Sequence, residues 1–372
     1  MDIMTKLFGK EEINLSRQFE FDFAKAVCIL GMVLVHCFDE IADASATEGG
    51  AFYYIMVIVL DSIFGAGTFM AAMGLGIAYS WKNNADKIIK RGIKIFLLAY
   101  LLNAVREGIP YTFLVLLGKE EATSLITCFF CDDIMQFAGL SLLLFGILKK
   151  LKFSDLAVFL TALGMSVIGS FVRFINFGNE ISNIIAGLFI GTNTPWEIDA
   201  SACFPLFNWF IIVVIGYLYA KAIRRCKNIN LYYAISLPVS GVILAVYMLI
   251  AIPNRLGMMN SDIFYYYHFS TPNALILFAG TVFATGIYHF IALLLSDKVK
   301  KIITRISSNI NRIYCIHWVM IGWTSSAFAL FEYEGIDDVM VAVVGITIFI
   351  AANLIAEAYT RSLEKKKLKL SE

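Results

Sequence analysis

Long apolar stretches separated by short polar connections dominate the chain. Taken in windows of about 20 residues, enough for a helix to cross a hydrocarbon core of about 30 Å, they fall at 19–38, 52–80, 92–117, 131–149, 154–176, 203–221, 231–252, 272–296, 309–331 and 337–359. The second and third are long enough to tilt. Pro110 is expected to break the third, because proline lacks an amide proton and its ring clashes with the preceding turn. The segment 181–190 is apolar but too short to span, and suits an interfacial or re-entrant position. The pattern predicts an all-α, polytopic integral membrane protein with about ten transmembrane helices.

The connections carry a second pattern. Every other one is basic: Lys6, Lys10 and Arg17; Lys82, Lys87, Lys90, Arg91 and Lys94; Lys149, Lys150 and Lys152; Lys221, Arg224, Arg225 and Lys227; Lys298, Lys300, Lys301 and Arg305; Arg361 to Lys369. Those between them are acidic or nearly neutral, and only Arg106, Lys119, Arg173 and Arg255 fall on the wrong side. Cytoplasmic loops retain Lys and Arg, so both termini are expected in the cytoplasm, with residues 1–18 a cytoplasmic segment and 360–372 a basic tail. Residues 1–372 are expected to form one transmembrane domain, with any chemistry placed between the helices.

Composition narrows the classes further. At 59% hydrophobic and 16% charged, with mean hydropathy +0.75, the chain is unlike a soluble domain. The net charge of +1 is distributed by loop, and nothing points to nucleic acid. The first 18 residues lack a short apolar core with a cleavage site, so the first span is expected to be retained. Seven cysteines lie mostly in or beside apolar runs. Cys128 and Cys131 have metal-like spacing without a second pair or a nearby histidine, and no metal is expected.

Ionisable residues inside apolar segments are the candidates for function. Lys25 and His36 lie eleven residues apart in the first span, so they share a helix face about 16 Å apart along the axis, close to the reach of a pantetheine arm. Lys25 can bind an anion or neutralise Asp22 three residues earlier. Asp39 and Glu40 follow His36 at helical spacing, where a carboxylate can orient an imidazole. Asp61 is expected at a similar depth, as are Asp132, Asp133 and Gln136, which serve either as acid-base groups or as helix caps. Arg91, Lys94 and Arg312 penetrate apolar sequence at the opposite end and would form a basic mouth suited to phosphates. His317, in the ninth span, is either a catalytic group or a histidine bonded between helices. Tyr265 to His268, Trp196 and Trp209 fit either sugar stacking or an aromatic belt.

Several of these stretches resemble a known group. Phe21-Asp22-Phe-Ala-Lys25 through His36 resembles the first helix of the membrane acyltransferase-3 family, with lysine where arginine is commoner; Arg91-Gly-Ile-Lys94 resembles its Arg-x-x-Arg motif, and Gly67 to Gly74 its second-helix segment. Asp133-Ile-Met-Gln136-Phe-Ala-Gly and Phe204 to Trp209 through Gly216-Tyr resemble the related heparan-alpha-glucosaminide N-acetyltransferase-like proteins, and Asn309 to His317 a late helix of both groups. The resemblance implies an acyltransferase of the cell membrane that takes an acyl group, usually acetyl, from cytoplasmic acyl-CoA to a carbohydrate or glycoconjugate acceptor on the outer side. It is compatible with a homo-oligomer. On this reading His36 is the general base or a transient acyl carrier. Asp39, Glu40, Asp61 and His317 support it, and Lys25, Arg91, Lys94 and Arg312 hold the CoA phosphates. The alternative is a transporter of a glycan precursor or small polar solute that uses the same buried groups.

Overall fold

Polar residues punctuate the helices where the hydropathy pattern breaks. Asn84, Asp133, Ser154, Asn179 and Asn228 each accept a backbone amide with the side chain at a helix start, satisfying donors that the helix leaves orphaned. The computed structural model describes residues 6–43, 65–80, 84–120, 125–192, 203–259 and 264–371. In chain order the helices are α1 (Phe19–Ile41), α2 (Ala66–Tyr79), α3 (Ala85–Asn103), α4 (Ile109–Leu116), α5 (Leu125–Phe130), α6 (Ile134–Lys150), α7 (Asp155–Phe171) and α8 (Glu180–Gly187). They continue with α9 (Leu206–Arg224), α10 (Ile229–Asn254), α11 (Phe264–Tyr267), α12 (Thr271–Leu294), α13 (Asp297–Ser308), α14 (Ile310–Leu330) and α15 (Asp338–Ser371).

Among the described residues, six helices are long and apolar enough to cross a membrane: α1, α9, α10, α12, α14 and α15. Helices α2 and α7 are apolar but shorter. Exposed Val242, Val246 and Leu249 on α10, and Val339, Val343 and Leu354 on α15, present the apolar outer surface that lipid requires.

Helix α9 is the core, with Trp209, Phe210, Ile212, Val213 and Val214 fully buried. Helix α2 is pressed onto it through two glycines. A Cβ on Gly74 would lie 2.0 Å from the Val213 carbonyl oxygen, and one on Gly216 2.3 Å from that of Ala71. Small residues let helices approach this closely where no water drives association. Helix α1 packs against α2, α12, α13, α14 and α15, so most of its faces meet protein.

Pro110 does not break the third apolar segment. The chain stays helical from Ala85 to Leu116, with a π-helical turn at Ala104–Gly108. The Ile109 amide donates to the Ala104 carbonyl five residues back, and Pro110 has no amide proton to offer the Arg106 carbonyl. The widened turn avoids the clash, and its neighbours use the carbonyls it frees. The Trp323 indole donates to the Val105 oxygen at 3.0 Å. Gly322 of α14 lies so close that an added Cβ would sit 2.1 Å from the Arg106 oxygen.

Candidate active site

Lys25 and His36 both turn into the bundle, on the side where α1 meets α14. At the Lys25 end, Asp22 is already committed: Arg17 pairs with it through both Nε and Nη2, the latter at 2.7 Å, and Ser307 Oγ donates to it at 2.7 Å. Lys25 is left with no ion pair or hydrogen bond among the described residues. Its side chain lines two cavities that share Lys25 and Gly76. One, of about 250 Å³, opens between the start of α1 and the end of α2, past Arg17, Gln18 and Tyr79. The other, of about 120 Å³, runs deeper between α1, α2, α3, α6 and α14.

The deeper cavity joins a charged end to an apolar shaft. Arg91 of α3 lines it, also without an ion pair or hydrogen bond among the described residues, and Asn311 lies nearby. Phe69, Met73, Ile95 and Met135 form its walls. Along α6 it extends from Leu142 to Ile134, about 12 Å of helix. Tyr314 lines it as well, fully buried one turn before His317.

The Tyr314 hydroxyl donates to Asp133 Oδ2 at 2.6 Å, and Arg106 Nη1 donates to the same oxygen at 2.9 Å. Oδ1 of Asp133 meanwhile accepts the Ile134 amide at 2.6 Å, and Gln136 completes a capping box. The aspartate thus serves as both cap and ion-pair partner. Arg106 is buried and also pairs with Glu107, Nε to Oε1 at 2.7 Å. Its guanidinium lies over the Trp318 ring, 4.0 Å from the centroid. The edge of His36 meets that same indole, with centroids 4.0 Å apart, and the His36 and His317 rings are 5.5 Å apart.

Other predicted residues lie elsewhere. Asp39 and Glu40 are exposed, and His36 meets His317 and Trp318 instead of either carboxylate. Their spacing from His36 is helical as expected, but both lie on the exposed side of α1, while Cys37, Phe38 and Ile41 around them stay buried. Arg312 Nη1 donates to Asn309 Oδ1 and Thr360 Oγ1 at 2.8 and 3.0 Å, and the guanidinium lies over Tyr359. It therefore points to α15, away from the cavity. Lys94 is exposed and lines neither cavity. Asp61 and Trp196 lie outside the described residues. Trp209 is not in a surface belt: it is fully buried, with its indole donating to the Tyr267 oxygen at 2.8 Å.

Arg106, Trp318 and Tyr314 complete the cluster without having been singled out for it by sequence reasoning. Arg106 did carry a signal, as a lone arginine four residues before a proline in an apolar run. A family model described as heparan-alpha-glucosaminide N-acetyltransferase, catalytic, matches residues 17–249. That stretch contains Lys25, His36, Arg91, Arg106 and Asp133. No curated protein matches, and no solved structure does. With more than half of its length matched, and its Lys25 and His36 facing inward from a helix able to cross a membrane, the chain belongs to the heparan-alpha-glucosaminide N-acetyltransferase catalytic family.

Proposed function

We propose that the protein is a multi-pass acyltransferase of the cell membrane, with both termini in the cytoplasm and residues 1–372 working as one domain. It moves an acyl group, acetyl in the simplest case, from cytoplasmic acyl-CoA to a carbohydrate or glycoconjugate acceptor on the outer side. The observation that carries this reading is the deeper cavity. At one end are Lys25 and Arg91, two cations without an ion pair or hydrogen bond among the described residues; at the other is Tyr314, one turn below His317, whose ring meets that of His36.

The chain's residues fit such a donor at both ends. Lys25 and Arg91 offer charge-assisted bonds to phosphate oxygens, and the apolar shaft suits an uncharged arm. His36 is the general base toward an acceptor hydroxyl or amine, a role that an imidazole fills near neutral pH. Donor phosphates at the Lys25 mouth leave the thioester to be reached from the histidine end, so donor and acceptor can approach from opposite sides of the membrane.

The test is acyl transfer by purified protein in proteoliposomes, with labelled acetyl-CoA outside and an aryl α-glucosaminide as acceptor. Label is expected on the acceptor with wild-type protein and not with His36→Ala. Absence of transfer by the wild type, or normal transfer by His36→Ala, overturns the reading.

A further inference from the structure

A second imidazole occupies the place where the sequence suggested carboxylates would support His36. His317 is fully buried, with Nδ1 3.0 Å from the Ile313 carbonyl oxygen. A carbonyl only accepts, so the neutral ring carries its proton on Nδ1 and keeps a lone pair on Nε2. That Nε2 is buried without a hydrogen-bond partner among the described residues, and so is Nδ1 of His36. A buried polar atom left unsatisfied costs about 1–3 kcal/mol. Two of them lie on neighbouring rings of packed helices, each able to take up or give a proton.

Charged groups of both signs surround the pair. From the π-helical turn, Arg106 and Glu107 face the cluster; from the segment before α6 come Asp133 and Cys131, whose Sγ accepts from Arg106 Nη2 at 3.7 Å. Helix α14 itself contributes Tyr314 and Trp318. The Asp133 carboxylate reaches the pair through Tyr314, whose hydroxyl it accepts and whose ring meets His317. An imidazolium at His317 would face that carboxylate's charge while keeping its Nδ1 bond to Ile313.

We propose that His36 and His317 act as one proton-transfer pair, with His317 taking the role behind His36 that helical spacing suggests for Asp39 and Glu40. The proposal rests on the acyl-transfer reading. As the acceptor oxygen or nitrogen bonds to the acyl carbon, its proton passes to Nε2 of His36. Turning the two rings, whose centroids are 5.5 Å apart, into hydrogen-bond contact lets the Nδ1 proton of His36 pass to Nε2 of His317. When the carbon–sulfur bond breaks, the departing thiolate takes the proton back through the same pair, restoring both neutral rings. His317 lies beyond the matched residues 17–249, so it is this chain's own geometry that assigns the role.

His317→Asn tests it in the proteoliposome assay, because asparagine can still donate to the Ile313 oxygen but cannot take up a proton. The expected result is a kcat lower by about 10²-fold or more, a KM for acetyl-CoA within about twofold of wild type, and loss of the acid limb of the kcat–pH profile. The melting temperature in detergent is expected to be unchanged. If His317→Asn melts early, His317→Gln is measured in its place. Wild-type kcat and pH profile in a folded variant, or a loss confined to KM, overturns the pair. If the wild type transfers nothing, the acyltransferase reading falls and the pair with it. If His36→Ala is inactive while a folded His317 variant keeps full kcat, only the pair falls.

Discussion

The two ends of α1 solve the same problem with opposite outcomes. At the Lys25 end, an arginine takes the carboxylate: Arg17 and Ser307 hold Asp22, and the lysine is left facing a cavity. At the His36 end, Arg106 takes Glu107 and Asp133, and two imidazoles are left facing each other. Arginine binds carboxylates through a planar fork and so becomes part of the architecture, while the softer or more mobile titratable groups beside it stay available. On the proposed function, the groups without partners among the described residues are where a ligand's charge or proton belongs.

That contrast can be broken experimentally. The largest effect is expected from His36→Ala, with kcat falling by about 10³-fold or more as the proposed base is lost and no change in detergent melting. Next is Arg106→Ala. It removes the buried cation that pairs with Asp133, and breaking a buried pair costs about 3–5 kcal/mol, so a large drop in melting temperature should accompany loss of activity. Lys25→Ala should leave stability nearly unchanged and raise KM for acetyl-CoA by roughly 10- to 100-fold, the equivalent of about 1.5–3 kcal/mol for a hydrogen bond to a charged group. Lys25→Arg should recover most of that loss. Arg312→Ala should change KM by less than about threefold, since that guanidinium is turned toward Thr360 and Tyr359; an effect as large as that of Lys25→Ala would show that the cavity end extends further than these cations. The smallest effect concerns Lys119 and Glu332, an exposed pair in which the lysine holds the Glu332 carboxyl below the usual range. A depressed carboxyl contributes stability only above its unfolded pKa, and exposed pairs contribute little. Glu332→Gln should therefore melt with the wild type at neutral and at acid pH.

The errors of the sequence reading come from one source. Helical spacing places Asp39 and Glu40 within about a turn of His36, but spacing does not say which side of a helix packs, and those two residues are exposed while Phe38 and Ile41 beside them are buried. Arg312 penetrates apolar sequence as expected, yet it turns to α15, a neighbour distant in the chain. By hydropathy Arg106 falls among the outer-loop charges, whereas it is buried in a π-helical turn. Pro110, read as a helix breaker, coincides with that turn, and the frequent occurrence of π-turns at functional sites makes the combination of an isolated arginine and a proline informative in retrospect. Asp133 and Gln136 did form the helix cap that their spacing suggested, but nothing local showed that the second carboxylate oxygen would bind Arg106 and Tyr314.

Hydropathy alone determined that this is a helical membrane protein, because in lipid a backbone must satisfy its own hydrogen bonds and long apolar runs can do so only as helices. It also marked Lys25 and His36, since an ionisable side chain in such a run is too costly to be idle. Which carboxylate each cation would meet, which cations would be left over, and that His317 rather than Asp39 or Glu40 would stand beside His36 depended on packing between helices far apart in sequence. Pairing energies act over a few ångströms, and only the assembled bundle sets those distances.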